Sequence, residues 1–167
     1  MIGDAYMVFR KMRIVTIFIL IIPFQTKVVG QTVHCSKADA ERADYEAGRL
    51  RTWNKLYHSY LRYSGCDDGS IAEGYSDSIV QILAHHWTTF PQALPLFSSD
   101  IGFYKFVLKH IDPTAEPDDL KLIRVNTIRS CPPGANEYCT EIRKAAGKAL
   151  SEIRIVPPPK SQVGPPR

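Results

Sequence analysis

Apolar side chains recur every three or four residues through most of residues 36–153, which is the spacing that places them on one face of an α-helix. The clearest stripe comprises Ile71, Tyr75, Ile79, Ile82, Leu83 and Trp87. No segment of this range shows the alternating apolar and polar pattern of a half-buried strand. We therefore expect an all-α domain, a compact bundle of five to six helices stabilised by disulfides.

Polar residues that favour helix N-termini mark where several of these helices begin. Ser36 is the expected N-cap of a first helix that runs to residue 63, and Asp100 is the expected N-cap of another. Ser70 with Glu73 three residues later has the spacing of a capping box. On the first helix, the residues with helical spacing include Tyr45, Trp53, Tyr57, Tyr60 and Leu61. On the helix that begins near Pro117, the residues expected to face inward are Leu120, Ile123 and Ile128.

The first 30 residues have the composition of a secretory signal peptide. An 11-residue apolar run, Ile14–Phe24, follows a basic cluster that ends at Arg13, and small residues precede a cleavage site after Gly30. The run is shorter than the roughly 20 residues that a membrane-spanning helix needs. We expect cleavage, and an uncleaved segment that anchors the protein in the membrane is the alternative.

The rest of the chain divides into a domain and a tail. Residues 31–155 carry the helical pattern, whereas residues 156–167 are rich in proline and are expected to be disordered. The whole chain has a net charge of +4, and Arg10, Lys11, Arg13 and Lys27 against Asp4 supply +3 of it. The mature part is therefore close to neutral at +1, so we expect no nucleic-acid partner.

Four cysteines, Cys35, Cys66, Cys131 and Cys139, lie in the mature part, and in an exported chain they favour two disulfides with three possible pairings. Cys131 and Cys139 flank a Pro-Pro-Gly turn and are the easiest pair to close. The remaining pair meets an objection, because an unbroken helix over residues 37–63 would separate its ends by about 40 Å. Either this helix breaks near Gly48 or Cys35 has another partner. The spacing of a zinc site is missing, and we expect no metal or other cofactor.

No catalytic motif occurs in the chain, neither a nucleophile elbow nor a His-Glu-x-x-His sequence. Charged residues before and along the second predicted helix form a candidate interaction surface that comprises Asp67, Asp68, Glu73, Asp77 and His85. Three of them, Glu73, Asp77 and His85, are also the residues that a small hydrolase would use. The aromatic residues at helical spacing on the first helix fit core packing, with a partner-facing ridge as the alternative.

The segment Cys66–Asp77, continuing through His86-Trp87, Phe106–Ile111 and Asp118–Ile123, resembles small exported helical proteins of bacteria that have no assigned activity. The resemblance covers about residues 56–150 and implies no catalytic residue. Size, export and the arrangement of cysteine, turn and helix are also similar to those of periplasmic immunity proteins, which are small disulfide-bonded helical domains that neutralise secreted cell-wall amidases. This second likeness is one of architecture alone.

Together these features predict an exported, non-enzymatic α-helical protein that binds another protein in the cell envelope. We expect it in the periplasm or secreted, without stable membrane insertion after cleavage. A small envelope hydrolase, or a structural component anchored through Ile14–Phe24, are the alternatives.

Overall fold

The computed structural model describes residues 34–155, and these residues form seven α-helices and no strand, which confirms the all-α class. The helices are α1 (Lys37–Ala47), α2 (Trp53–Tyr63), α3 (Gly69–His85), α4 (Leu94–Ser99), α5 (Ile101–Lys109), α6 (Pro117–Arg129) and α7 (Asn136–Ile155). Short 3₁₀ segments follow α2 at Ser64–Cys66 and α3 at Trp87–Gln92. The predicted signal peptide, with its apolar run, and the proline-rich tail lie outside the described residues. None of the helices in the described range is long and apolar enough to cross a membrane.

The number of helices exceeds the expected five to six because the first predicted helix is two helices. α1 ends at Ala47 with Gly48 as its C-cap, and α2 begins at Trp53 after Thr52, whose hydroxyl accepts a hydrogen bond from the Lys55 main-chain N–H at 3.4 Å. Residues 48–52 therefore form a turn that lets α2 run back along α1. The break near Gly48 is one of the two alternatives that the cysteine spacing left open.

Both disulfides form, and the pairing is Cys35 with Cys66 and Cys131 with Cys139. The Cα atoms of Cys35 and Cys66 lie 4.9 Å apart, because the turn between α1 and α2 returns the chain to the start of α1. The second pair closes the short connection between α6 and α7, in which Gly134 adopts a φ of 79° that favours glycine.

Two of the predicted helix caps are confirmed and one is wrong. The Ser36 hydroxyl accepts a hydrogen bond from the Asp39 main-chain N–H, as an N-cap does. The Asp100 carboxylate accepts one from the Phe103 main-chain N–H in the same way. The capping box of Ser70 and Glu73 does not form, because α3 begins earlier, after Asp68. The hydroxyl of Ser70 instead donates to Asp44 on α1 at 2.6 Å.

α3 is the central helix of the bundle. It packs against α1 on one side and α6 on the other, and α6 packs in turn against α7. The whole apolar stripe predicted for α3 is buried, including Trp87 just beyond the end of the helix. An aromatic cluster contributed by α2, α4, α5 and the 3₁₀ segment after α3 is buried as well: Trp53, Phe90, Phe97 and Phe103. Core packing therefore accounts for Trp53 and Tyr63, while Tyr57 and Tyr60 lie half-buried against this core.

Three residues of the predicted helical stripes are exposed instead, Ile128, Tyr45 and Leu61, and Leu61 is 48% exposed. Ile128 is 62% exposed, because α6 buries the face that carries Leu120, Ile123 and Thr127, and Ile128 lies about 100° around the helix from Thr127. Tyr45 is 72% exposed, because α1 buries only its alanine face and does not continue into α2.

Candidate functional site

A buried polar cluster joins the chain after Cys66 to the end of α5. His110 is only 1% exposed, and its Nε2 lies between the two carboxylate oxygens of Asp67, at 3.1 and 3.2 Å. Lys109 Nζ contacts the same carboxylate at 2.6 Å. On the other side of the imidazole, Nδ1 lies 3.1 Å from the hydroxyl of Ser76, which also contacts Asp112 at 2.6 Å.

The hydrogen bonds of this cluster connect two carboxylates through the imidazole. The Ser76 hydroxyl has one proton, and the Asp112 carboxylate at 2.6 Å is a stronger acceptor than the Ala72 carbonyl at 3.2 Å, so the serine donates to Asp112. On the other side of the ring, His110 Nε2 donates to Asp67. The imidazole therefore lies between Asp67, which it contacts directly, and Asp112, which it reaches through Ser76.

The pKa of Asp67 reflects the same contacts. Burial acts to raise it, but the hydrogen bonds and charges of His110 and Lys109 together outweigh burial and hold this pKa below its usual range. Asp67 is consequently ionised at neutral pH. It accepts hydrogen bonds from the buried His110 ring and from Lys109.

The carboxylate, imidazole and hydroxyl of this cluster match the residue types of a hydrolytic triad but not its geometry. Ser76 is 2% exposed within α3, and its proton is directed to Asp112. His110 is also buried, at 1% exposed, so the two groups are closed to solvent. The contacts of the cluster join α3, the end of α5 and the segment after Cys66. This cluster could not be predicted from the sequence, because Ser76 lies within α3 and His110 directly after α5, and no local spacing connects them.

The predicted interaction surface is divided by the fold. The Asp67 side chain is 8% exposed and points to His110, whereas Asp68 is exposed and accepts a hydrogen bond from the Gly69 main-chain N–H. Glu73 and Asp77 lie together in a groove of about 220 Å³, where Glu116 and Asp119 complete a set of four carboxylates. His85 lies beyond them and contacts Asp119 at 2.8 Å.

The geometry of α3 separates His85 from Glu73, two of the three residues assigned to a possible hydrolase. Glu73 and His85 are 12 residues apart, which is about 18 Å along the helix. Asp77 is paired with Arg51 at 3.1 Å. These side chains do not converge on one reacting atom. Among residues 34–155, no group of three or more His, Cys, Asp or Glu side chains is placed to hold a metal ion.

A second groove, which we call the α1–α2 groove, lies where these two helices diverge. Its volume is about 530 Å³, and its lining consists of Tyr45, Glu46, Arg49, Leu50, Lys55, His58 and Arg62. Five of the seven are exposed; Leu50 is buried and Glu46 half-buried. On α2 the lining residues follow the i, i+3, i+7 spacing, so they form one stripe along the groove.

Hydrogen bonds and stacking hold two arginines at this groove. Arg49 donates to the main-chain carbonyl of Tyr45, and its guanidinium lies 4.7 Å from the centre of the Tyr45 ring. Arg62 donates to the His58 carbonyl at 3.2 Å. Each guanidinium has five N–H donors, and most of them make no hydrogen bond among the described residues. The arrangement can bind oxygen acceptors.

This groove could not be predicted from the sequence, although Lys55, His58 and Arg62 are spaced along one face of α2. The opposite wall comes from α1 and exists only because the chain turns at residues 48–52. Comparison of the chain with protein-family models, with curated proteins and with solved structures gave no significant match.

Proposed function

We propose that this chain is an exported, non-enzymatic α-helical protein that binds another protein in the cell envelope. Two disulfides support the compartment, since such bonds persist in oxidising, extracytoplasmic environments. The periplasm is the compartment that we propose, in agreement with the signal-peptide pattern of the first 30 residues.

The observation that carries the binding proposal is the α1–α2 groove. Small-molecule sites typically enclose 70–90% of their ligand, whereas this groove is open and most of its lining is exposed. Its rim combines an exposed tyrosine with arginines, and these are residue types enriched among the energetic centres of protein interfaces. An open groove with such a rim fits a segment of another protein.

Site-specific cross-linking in cells tests this proposal. A photo-cross-linking amino acid replaces Tyr45 in the groove, or Ile128 as a control on the exposed face of α6. We expect one discrete protein adduct from position 45 and none from position 128. The partner is then purified, and we expect 1:1 binding to the native protein that Tyr45→Ala weakens about tenfold.

The same experiment can contradict the proposal. Identical adducts at both positions would indicate random collisions, and the absence of any adduct at position 45 under several growth conditions would remove the proposed binding surface. Ile128→Ala serves as the matched variant for the purified complex, since it also removes an exposed apolar side chain, and it should bind the partner as the native protein does.

A further inference from the structure

The α1–α2 groove carries an excess of positive charge. Arg49, Lys55 and Arg62 contribute three cations, and Glu46 contributes one carboxylate. Lys55 has no ion pair among the described residues, and the contact between Arg62 and Glu46 is 3.8 Å long. A ligand that complements this groove must therefore be acidic.

Glu46 adds a second requirement. Its side chain lines the groove and is 29% exposed, and its contact with Arg62 at 3.8 Å is too long for a hydrogen bond. A carboxylate that a ligand covers needs a donor. The complementary ligand therefore has N–H groups as well as acidic groups, a combination that a phosphate or a polyphosphate lacks and a peptide has.

The dimensions of the groove agree with an extended peptide. Lys55 and Arg62 are seven residues apart on α2, which places them about 10 Å apart along the helix axis. Three residues of extended chain span the same distance at about 3.3 Å per residue. Alternate side chains of such a segment point to opposite sides, so two carboxylates can face the cationic wall while the main chain passes Glu46.

We propose that the α1–α2 groove binds an acidic, extended segment of the partner protein. Carboxylates of this segment pair with Arg49, Lys55 and Arg62, and one of its main-chain N–H groups donates to Glu46. The exposed ring of Tyr45 covers one side of the segment. This assignment of the partner's chemistry rests on the proposed protein-binding function and extends it.

The first test uses a fluorescently labelled hexaglutamate peptide and the purified full domain with its disulfides intact. Anisotropy should show saturable 1:1 binding that weakens between 0.01 and 0.1 M salt, as the screening length falls from about 30 to about 10 Å. The double variant Arg49→Gln with Lys55→Gln should lose about fivefold or more in affinity.

A matched pair of substitutions controls for net charge. Arg129 and Lys105 are exposed, lie on other helices and make no ion pair among the described residues. Arg129→Gln with Lys105→Gln therefore changes the total charge equally and should leave peptide binding within about twofold. An equal loss in both double variants, or no saturable binding to the native protein up to about 1 mM peptide, would overturn the acidic-segment proposal.

The second test separates a peptide from other anions through Glu46. Glu46→Gln removes the same repulsion toward hexaglutamate and toward tripolyphosphate, but only the peptide loses a charge-assisted hydrogen bond from its main-chain N–H. The ratio of peptide affinity to tripolyphosphate affinity should fall about fivefold. An unchanged ratio would identify a general polyanion site and contradict a peptide ligand.

The peptide tests and the cross-linking test can fail separately. If position 45 yields a partner while hexaglutamate does not bind, the groove binds a protein segment of other chemistry, and the acidic assignment is wrong. If hexaglutamate binds as expected while no partner is captured at position 45, the acidic-segment assignment is supported and the proposed envelope function is contradicted.

Discussion

His110 is a polar residue in an interior that is otherwise largely apolar, and its neighbours provide partners for both ring nitrogens. A buried polar group without a hydrogen-bond partner would be destabilising. Here Asp67 faces one ring nitrogen and Ser76, backed by Asp112, faces the other. Each partner comes from a different part of the chain, so the cluster links the segment after the first disulfide, α3, and the end of α5.

Asp67→Asn is expected to destabilise the protein by about 2 kcal/mol at pH 7, because it removes a buried carboxylate that accepts hydrogen bonds from Lys109 and from the buried His110 ring. The pH dependence has a defined sign. The pKa of Asp67 is lowered in the folded state, so its stabilisation is present above the ordinary carboxyl pKa of about 4 and is lost as the pH falls through the folded-state value. Urea denaturation at pH 7 and at pH 3 measures both effects.

Asp118→Asn provides the control for this prediction. Its carboxylate also pairs with a lysine and its pKa is also lowered, by the hydrogen bond and charge of Lys121, but the residue lies on the surface. We expect its denaturation midpoint to stay at the native value. The difference in the free energy of unfolding between Asp67→Asn and the native protein should be smaller at pH 3 than at pH 7. A difference that is constant with pH would refute the ionic role of Asp67.

At the scale of helices, the contact between α1 and α3 depends on a close approach of two glycines. A Cβ atom added at Gly74 would lie 2.9 Å from the main-chain nitrogen of Gly48 and 3.0 Å from the Cβ of Ala47. Main-chain atoms cannot move aside as a flexible side chain can. The two helices therefore pack at this distance only because position 74 has no side chain.

Gly74→Ala is expected to destabilise the protein by about 1–3 kcal/mol, because the clash exceeds the gain of about 1 kcal/mol that alanine gives within a helix. Gly147→Ala on α7 should do the opposite and stabilise by up to about 1 kcal/mol, since the nearest atom to an added Cβ is the Arg124 side chain at 4.0 Å. Thermal and urea denaturation of both variants measure whether each substitution raises or lowers the stability. An equal change in stability in both variants would show that helix propensity, and not packing, dominates.

The helices themselves could largely be predicted from the sequence, because their signals are local. Ser36 and Asp100 lie immediately before apolar-periodic segments and cap them. The capping box at Ser70 does not form because α3 begins at Gly69, after the N-cap Asp68, so Ser70 already lies within the helix. The Ser70 hydroxyl donates to Asp44, 26 residues away in sequence, and a local pattern contains no information about such a contact.

The candidate site could be predicted far less well, because it depends on how helices meet. Glu73 and Asp77 share a groove as their spacing suggested, but the other two carboxylates of that groove come from the start of α6. The α1–α2 groove depends on a turn at residues 48–52, and the apolar spacing was compatible both with one long helix and with two. Only the cysteine geometry favoured the break.

At the scale of the whole molecule, the two disulfides constrain the chain unequally. Cys35–Cys66 closes a loop with a sequence separation of 31, which contains α1 and α2, whereas Cys131–Cys139 closes one with a separation of 8. Loop-closure entropy gives stabilisations of about 3.5 and about 2.5 kcal/mol. The first disulfide also holds in place both walls of the α1–α2 groove.

Replacing each pair by serine should therefore give ordered effects. Cys35→Ser with Cys66→Ser is expected to lower the melting temperature more than Cys131→Ser with Cys139→Ser, and only the first should also weaken binding of hexaglutamate. Calorimetry and anisotropy on the two variants measure these effects. The reverse order in melting temperature would show that the short turn between α6 and α7 contributes more than its loop length implies.

The compartment can be tested through the mass of the protein in fractionated cells, with free thiols alkylated before and after reduction. We expect a chain that begins near Gln31 in the extracytoplasmic fraction, with no thiol available before reduction and four afterwards, because Cys35, Cys66, Cys131 and Cys139 are all bonded. A full-length mass with four oxidised cysteines in the membrane fraction would instead support an anchor through the Ile14–Phe24 run. Free thiols would contradict export, since a folded domain in an oxidising compartment would keep both disulfides. Any partner of the α1–α2 groove would then be a cytoplasmic protein.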